Sequence, residues 1–362
     1  MYRETEAKSC DSVIDMEKYY RIHDIITFKI INDDSLLDNL LGFLLGSWDI
    51  ELQGFKSSSC NNPNLVILMG RFTPDNQNCI ILDDNYYIRD DYFYCQDRYG
   101  CAEWQLEISG FQQENTIARI HCNLLGKTLI PEAIINHLIW FKLNEKGYPI
   151  THASGISKDG KVYVFAGQGA SGKSTIALNL VERGFQLLSD HFILLNKGTA
   201  LSFPTPFHMM DYNLAPVIRN NMNRTHKVSF RLKHLFHRLT GRRIATKILP
   251  RDILESSLVD RAKLQAIFLL LPREKFDARE IDKEELIGHL VQNQRLETFP
   301  FIKYMWLYSY LFPQSTMATY WHRYEENLRQ ALSSVRAFYR VEVPLKYDTE
   351  TLERINELVC KC

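Results

Sequence analysis

The sequence lacks an excess of either charge, a secretory leader and a membrane-spanning run. Lysine plus arginine number 43, as do aspartate plus glutamate, so the formal net charge is zero. A neutral chain has no global attraction to nucleic acid or acidic membranes. The first twenty residues are polar and mixed in charge, unlike a signal peptide, and the apolar stretch 36–48 is too short to cross a bilayer. We therefore expect a cytoplasmic protein with no membrane partner and no nucleic-acid partner.

The sequence also lacks any Cys-x-x-Cys pair. Its eight cysteines are scattered, and in a cytosolic chain such residues are typically reduced thiols that pack as small hydrophobes. Cys95 and Cys101 could meet across a hairpin, but no second pair lies near them in sequence, so we expect no metal site there. The C-terminal Cys360-Lys-Cys362 lacks the C-a-a-X pattern, so lipidation is not expected.

Repeats and low-complexity segments are absent as well, and the composition is that of a globular protein. The chain has 362 residues, 45% of them hydrophobic and 24% charged, which suits one large domain or two smaller ones with a sizeable core. We divide it into an N-terminal α+β region over 1–145, suited by position to substrate recognition, and a second domain over 146–362. An oligomer is compatible with the sequence.

The N-terminal region alternates short apolar runs with Asp/Asn turns, which predicts an antiparallel, meander-like set of strands. A helix is predicted over 36–48 and another over 131–141, with Pro131 in its first turn. The predicted strands of this region are 25–31, 65–69, 79–82, 86–88, 92–95, 104–108 and 116–122. After residue 200 the pattern is largely helical, apart from one strongly apolar strand over 264–271.

One stretch organises the rest of the chain. The β-branched and aromatic run 162–166 predicts a buried strand, a glycine-rich loop follows, and residues 173–183 predict a helix that ends before Gly184. The pattern Gly167-x-x-x-x-Gly172-Lys173-Ser174 in this strand–loop–helix context is a P-loop. The nucleotide-binding residues are then Gly167, Gln168, Gly169, Ala170, Ser171, Gly172, Lys173, Ser174 and Thr175.

The residue types of this loop define its chemistry. Glycines let successive backbone N–H groups turn inward around an anion, and the helix N-terminus adds unpaired donors. Lys173 can reach the β- and γ-phosphates, and the Ser174 hydroxyl can ligate Mg²⁺, which prefers oxygen. We therefore expect ATP and Mg²⁺ as ligands.

Two further residues flank the loop in sequence. Asp190 follows an apolar strand sixteen positions after Ser174, where a carboxylate either holds Mg²⁺ or accepts a proton from an attacking hydroxyl; a turn cap is the alternative. A hairpin turn at 158–160 would place His152 beside the phosphate end of the loop strand. His152 would then hydrogen-bond Asp190 or a phosphate oxygen, unless it is a structural histidine.

Three segments together resemble the catalytic core of the HPr kinase/phosphorylase superfamily, and more closely its HPr-kinase-related proteins, whose targets vary. They are His152-Ala-Ser-Gly-Ile, Gly167-x-Gly-x-Ser-Gly-Lys-Ser-Thr and Glu182-Arg-Gly-Phe-Gln-Leu-Leu-Ser-Asp190. The resemblance covers about residues 150–200. It implies an α/β fold of the HPr-kinase/PEP-carboxykinase type, with a P-loop domain and a strand-rich N-terminal region. It also implies that His152 and Lys173 are catalytic and that Asp190 is a base or a metal-linked carboxylate.

The sequence departs from that family in two ways. The family's second aspartate is His191 here, and the glycine-rich HPr-recognition signature is absent downstream. Both departures argue against HPr as the acceptor and against the reverse phosphorylase reaction. Three interpretations of His191 stay open: it replaces the second aspartate, it faces the other side of its strand, or it marks lost activity.

The segment 212–251 contains no aspartate or glutamate. Residues 230–239 place Leu232, Leu235, Phe236 and Leu239 on one helical face, opposite basic residues. A solvated helix explains this pattern, as does contact with an anionic substrate, acidic peptide or nucleotide. Arg273, just after the apolar strand, is a further candidate phosphate contact. The cationic residues of the segment are Arg219, Arg224, Lys227, Arg231, Lys233, Arg238, Arg242, Arg243, Lys247 and Arg251.

These observations together favour an ATP-dependent kinase that transfers the γ-phosphate to a hydroxyl, with a serine in a peptide or protein as the first acceptor to consider. Ser174 and Asp190 would hold the metal. Two alternatives remain: a nucleotide-binding regulatory module without phosphotransfer, and a kinase of small molecules.

Overall fold

The computed structural model describes residues 16–32, 50–209, 216–240, 245–299 and 301–362, so the helix predicted over 36–48 lies outside the described residues. Within them the protein is a mixed α/β structure with two large sheets, one of nine strands and one of eight. No helix among the described residues is long and apolar enough to span a membrane.

The N-terminal sheet has the strand order β3-β1-β2-β4-β9-β8-β7-β6-β5. Side chains alternate between its two faces, as in β2, where every second residue from Ile26 to Asn32 is buried. A 3₁₀ helix, Ile50–Phe55, precedes β3. The strands are β1 Met16–Ile22, β2 Ile26–Asn32, β3 Lys56–Ser57, β4 Leu65–Met69, β5 Ile80–Leu82, β6 Tyr86–Arg89, β7 Tyr92–Tyr99, β8 Ala102–Ser109 and β9 Thr116–Cys122.

The predicted antiparallel meander is confirmed for β5 to β9, where each strand pairs with its neighbour in sequence. It is wrong for β4, which pairs in parallel with both β2 and β9. Parallel neighbours need a long crossover connection. The hairpins from β5 to β8 supply that connection between β4 and β9, a role that local sequence pattern does not reveal.

The predicted helix over 131–141 is longer than expected and begins earlier. It comprises α1 Gly126–Ile130, a π-helical turn Pro131–Ile135 and α2 Asn136–Glu145 in succession. Pro131 therefore lies inside the helical run and not in its first turn. Because proline has no N–H and crowds the preceding turn, the chain widens into a π turn at this point.

The second sheet carries the loop strand. Strands β10, β13, β14, β17 and β11 pair successively into a closed ring, because β17 contacts both β14 and β11. Strands β15 and β16 pair separately. The bounds are β10 Ile150–Lys158, β11 Lys161–Ala166, β12 Gln186–Ser189, β13 Phe192–Asn196, β14 Thr199–Ser202, β15 Phe207–Met209, β16 Thr246–Ile248, β17 Arg261–Arg273, β18 Asp277–Glu280 and β19 Ala337–Pro344.

The prediction that a single strand interrupts a helical C-terminal part is wrong, since β15, β16, β18 and β19 are also present. β19 lies parallel to β17 over eight residue pairs. The remaining helices are α3 Lys173–Glu182, α4 Pro216–Asn221, α5 Arg224–Thr240, α6 Arg251–Leu254, α7 Lys283–Glu297, α8 Phe301–Leu311, α9 Tyr320–Ala331 and α10 Thr349–Lys361.

Strand β11 separates two hydrophobic cores. Val162, Val164 and Ala166 point into one core, which also contains buried residues of the N-terminal sheet and of α2, α7, α8 and α9. Tyr163 and Phe165 point into the other, with α3 and α10. The alternation follows from the two-residue period of a strand. Burial on both faces fixes the position of the loop that follows β11.

The predicted amphipathic helix in the basic segment is present as α5, but its apolar side chains do not pack inward. Val228, Leu232 and Leu235 are each about half exposed, whereas Phe230 packs against the second core. The side chains of Phe236 and Leu239 lie outside the described set.

Candidate functional site

The strand–loop–helix unit forms from a tight hairpin. Strands β10 and β11 pair from Lys158–Lys161 to Ala153–Ala166, across a turn in which Asp159 and Gly160 both have positive φ. This register places His152 next to the first loop residue, as the spacing predicted. Helix α3 then ends at Gly184, whose φ is +88°. The N–H of Gly184 donates to the carbonyl of Val181. This glycine therefore terminates the helix at the position predicted from the sequence.

The loop turns sharply into α3 at Gly172. This residue has φ +84°, a conformation that L side chains rarely adopt, and a Cβ at this position would lie 2.2 Å from the ring of Tyr347. The Tyr347 hydroxyl donates to the carbonyl of Ser171 at 2.7 Å. Glycine is therefore required at 172 both by the backbone and by the close approach of Tyr347.

Lys173 begins α3 and is buried within the curve of the loop. Its Nζ donates to the carbonyls of Gly167, at 2.9 Å, and Gln168, at 2.8 Å. Burial lowers the pKa of Lys173 to about 8, although nearby Asp190 and Glu297 act in the opposite direction. In this arrangement the loop's own carbonyls satisfy the ammonium group, which would have to leave them to contact a phosphate.

Asp190 lies directly against Ser174, as the sequence spacing suggested. The Ser174 hydroxyl is 2.9 Å from Oδ1 and 2.8 Å from Oδ2 of Asp190. The Ser154 hydroxyl, on β10, donates to the same carboxylate. A hydroxyl and a carboxylate so placed offer the hard oxygen donors that Mg²⁺ prefers, so these residues fit a magnesium ion.

His152 contacts a different carboxylate from the one expected. Its Nδ1 is 2.5 Å from Oε1 of Glu297 at the end of α7, and no hydrogen bond joins it to Asp190 among the described residues. Burial lowers the pKa of His152, although Glu297 opposes the effect. Burial also acts to raise the pKa of Glu297, but His152, together with Lys173 and His137, outweighs it and the pKa of Glu297 falls below its usual value. The pair at neutral pH is therefore a neutral imidazole beside a carboxylate.

His191 faces the same site, so the interpretation that it points to the other side of its strand is wrong. Its ring centroid lies 5.0 Å from that of His152, and the ring stacks on Phe192 at 4.3 Å. Its φ is +81°, in the left-handed region that few non-glycine residues occupy. Burial, followed by the charges of neighbours such as His152 and His208, holds the pKa of His191 well below its ordinary value.

Helix α7 supplies two site residues that sequence reasoning missed. Asn293 and Glu297 are four positions apart and therefore share a helical face. The Asn293 amide donates to the carbonyl of Gly167 at 3.2 Å, and at 3.4 Å to that of His152. His137 fixes the end of the same helix, because its Nε2 lies 3.1 Å from the carbonyl oxygen of Glu297. The sequence signal that could have revealed these two residues is their polar character on a helix face that is otherwise apolar.

The remaining residues that the sequence predicted for the site differ in exposure and in distance from the loop. Gln168, Gly169, Ala170 and Thr175 are exposed on the loop and the first turn of α3, while Ser171 is buried. Arg273, at the end of β17, has an exposed side chain whose Nε is 3.9 Å from Glu342. No described contact links Arg273 to the loop.

The basic segment contributes Lys247 to a separate ionic cluster. Its Nζ lies 2.5 Å from Oε1 of the buried Glu51 and 3.0 Å from Glu132. His208 also contacts Glu51, at 3.1 Å. Burial acts to lower the pKa of Lys247, but Glu51 and Glu132 outweigh it and raise the pKa. This cluster is close to the loop site, because the ring centroids of His208 and His191 are 5.6 Å apart.

Known proteins show only weak similarity to the chain. No model of a known protein family matches the chain, and no curated protein matches it. Among solved structures the chain is similar to the Hpr(Ser) kinase/phosphatase from Coxiella burnetii, with a TM-score of 0.22 and 16% sequence identity. The match covers 41% of this chain and 97% of that one. A TM-score this low does not establish a shared fold.

Proposed function

We propose that the protein is an ATP-dependent kinase that transfers the γ-phosphate to a hydroxyl group. The observation that carries the proposal is the contact of Ser174 and Asp190, at 2.8 Å, beside the glycine-rich loop and the N-terminus of α3. Phosphoryl transfer depends on positioning and charge neutralisation, and it needs an anion cradle next to a carboxylate.

Each residue of the site would have a defined task. The backbone N–H groups of 167–172 and the Lys173 ammonium would bind the phosphates, after Lys173 leaves the carbonyls of Gly167 and Gln168. Ser174 and Asp190 would hold Mg²⁺, which when bound neutralises phosphate charge. Asp190 would alternatively orient and deprotonate the attacking hydroxyl, and the Ser154 hydroxyl would fix its carboxylate in either role.

The acceptor is proposed to be a serine in a peptide or protein, recognised through the N-terminal sheet. That sheet carries an open, polar cleft of about 860 Å³, whose lining includes Arg71, Arg98 and Lys303. The lining also includes Asp83, Asp97 and Glu103, and Lys303 lies 3.2 Å from Asp97, so the cleft suits a polar acceptor with charges of both signs. A small-molecule acceptor remains the alternative, and an acceptor screen distinguishes the two.

A regulatory module that binds nucleotide without transferring phosphate is the second candidate. Two observations favour it: Lys173 is engaged by loop carbonyls, and an imidazole stands at His191, where the resembling enzymes have a carboxylate.

Incubation with ATP labelled in the γ-phosphate, together with candidate peptides, proteins and small molecules, separates these functions. A kinase labels an acceptor in the wild type, and Asp190→Asn loses transfer while it keeps nucleotide binding. Tight binding with no loss of the γ-phosphate across all acceptors would establish the regulatory module instead. Glu326→Gln is a matched control, because it neutralises an exposed carboxylate that pairs with His322 on α9.

A further inference from the structure

Three donor side chains converge beside the loop from distant parts of the chain. They are His152 on β10, His191 after β12 and Glu297 at the end of α7. One ligand atom from each lies within 4.8 Å of the other two. The elements that carry them are held in place by two buried cores, so this convergence is a property of the fold and not of one mobile loop.

Two imidazole nitrogens and one carboxylate oxygen form a donor set with a definite metal preference. Imidazole suits Zn²⁺, Fe²⁺, Co²⁺ and related ions, whereas Mg²⁺ prefers oxygen alone. Three protein ligands leave at least one coordination position open for water or another oxygen. The set therefore differs in chemistry from the neighbouring hydroxyl and carboxylate of Ser174 and Asp190.

The residues that carry the ligands are held in position by neighbouring side chains. Here the contacts shown hold the backbone of two ligand residues: the main-chain carbonyl of Glu297 accepts a hydrogen bond from His137, and that of His152 accepts one from Asn293. His191 is held at φ +81°; backbone conformations of this kind cluster at functional sites. The side chain of Glu297 is 26% exposed, so an ion can reach the cluster from solvent.

A second cluster of similar composition provides a contrast. Glu51, Glu132 and His208 also bring three donors within 4.8 Å. There, however, Lys247 occupies the position of a cation, with Nζ 2.5 Å from Glu51 and 3.0 Å from Glu132. Beside the first cluster, the ammonium of Lys173 is bonded to the carbonyls of Gly167 and Gln168 instead. Among the described residues, the carboxylate of the first cluster, Glu297, therefore forms no ion pair with a lysine, whereas the carboxylates of the second cluster do.

We propose that His152, His191 and Glu297 bind one divalent transition-metal ion, with Zn²⁺ as the representative species, at a position separate from the Ser174–Asp190 pair. The open coordination position would take water. This binding does not require nucleotide or kinase activity, so it stands or falls independently of the proposed function.

The test uses the untagged full-length protein, stripped of metal with a chelator and then titrated with Zn²⁺ or Co²⁺ without nucleotide. We expect one equivalent of metal by elemental analysis, and a visible d–d absorption band for Co²⁺ with nitrogen ligands. Glu297→Gln and His191→Asn should each weaken metal affinity by more than about 100-fold, because loss of an outer-shell partner alone costs 10–100-fold. Glutamine has the same shape as the glutamate that it replaces, and asparagine tolerates the positive φ of position 191.

Two controls make the result decisive. His322→Gln changes an exposed histidine on α9 that pairs with Glu326, and it should bind metal like the wild type. His208→Gln alters the second cluster and should keep one equivalent. A wild type that takes up no metal overturns the proposal, as does binding that survives in Glu297→Gln and His191→Asn variants whose thermal unfolding shows them to be folded. Metal loss in His208→Gln with retention in His191→Asn would move the site to the second cluster and also overturn it.

Discussion

His137 should make the stability of the protein fall in mild acid. The side chain is 4% exposed on α2, its ring stacks on Phe301 at 5.3 Å, and its Nε2 contacts the carbonyl of Glu297. Burial lowers the pKa of His137 to about 4, from a model-peptide value of 6.5, although hydrogen bonds and the charge of Glu297 oppose the effect. The unfolded chain therefore binds a proton at a pH where the folded chain does not.

The direction and size of this change in stability follow from the difference in proton binding between the folded and unfolded states. Above pH 6.5 both states are neutral at this residue, so it contributes nothing to the pH dependence. As pH falls from 6.5 towards 4, the unfolded state is favoured by about 1.4 kcal/mol per pH unit. The free energy of unfolding should fall by about 1 kcal/mol between pH 7.5 and 5.5, and by about 2–3 kcal/mol by pH 4.5, from His137 alone.

Urea unfolding at a series of pH values measures this effect. His137→Gln keeps an N–H donor for the Glu297 carbonyl but cannot titrate. Between pH 7.5 and 4.5 its free energy of unfolding should therefore fall less than that of the wild type, by the amount that His137 contributes. This difference should appear even if the variant is less stable at every pH. His322→Gln, on the exposed side of α9, should keep the wild-type dependence. If His137→Gln and the wild type lose stability in parallel between pH 7.5 and 4.5, the reasoning about burial is wrong.

Three other predictions concern the loop. Lys173→Ala should abolish nucleotide binding or turnover, measured by calorimetry and labelled-ATP assay; unchanged values would refute its assigned role. Gly172→Ala should lower the thermal midpoint by several degrees, because a methyl group would clash with Tyr347 in a left-handed backbone, and an unchanged midpoint would contradict this. Tyr347→Phe should cost about 1 kcal/mol of unfolding free energy through the lost bond to Ser171, and equal stability in urea would show that bond to be inconsequential.

The sequence predicted the parts of the site that are close together along the chain. The β10–β11 hairpin, the glycine-rich loop and the contact of Ser174 with Asp190 depend on short segments whose pattern determines their geometry. Their positions could be inferred because a tight turn fixes the register of two strands. The roles assigned to these residues stay predictions until nucleotide binding is measured.

The distant parts of the site could not be predicted in this way. Glu297 and Tyr347 lie more than a hundred residues after the loop, and only tertiary packing brings them to it. The contact of His152 with Glu297 has the same origin, whereas the sequence led to an expected hydrogen bond with Asp190 or a phosphate oxygen. Strand β19 is a different case: its buried residues Phe338, Val341 and Val343 are irregularly spaced, so the two-residue period of a strand was not evident in the sequence.

The left-handed backbone at His191 has a consequence for what this position can become. Histidine, asparagine and aspartate are the non-glycine residues that tolerate positive φ best. A change among these three would leave the chain path at φ +81° intact and exchange only the group presented to the site: a nitrogen donor, a neutral amide or a negative charge. Position 191 is thus a point at which single substitutions would alter the ion preference of the proposed metal site without rebuilding the fold around it.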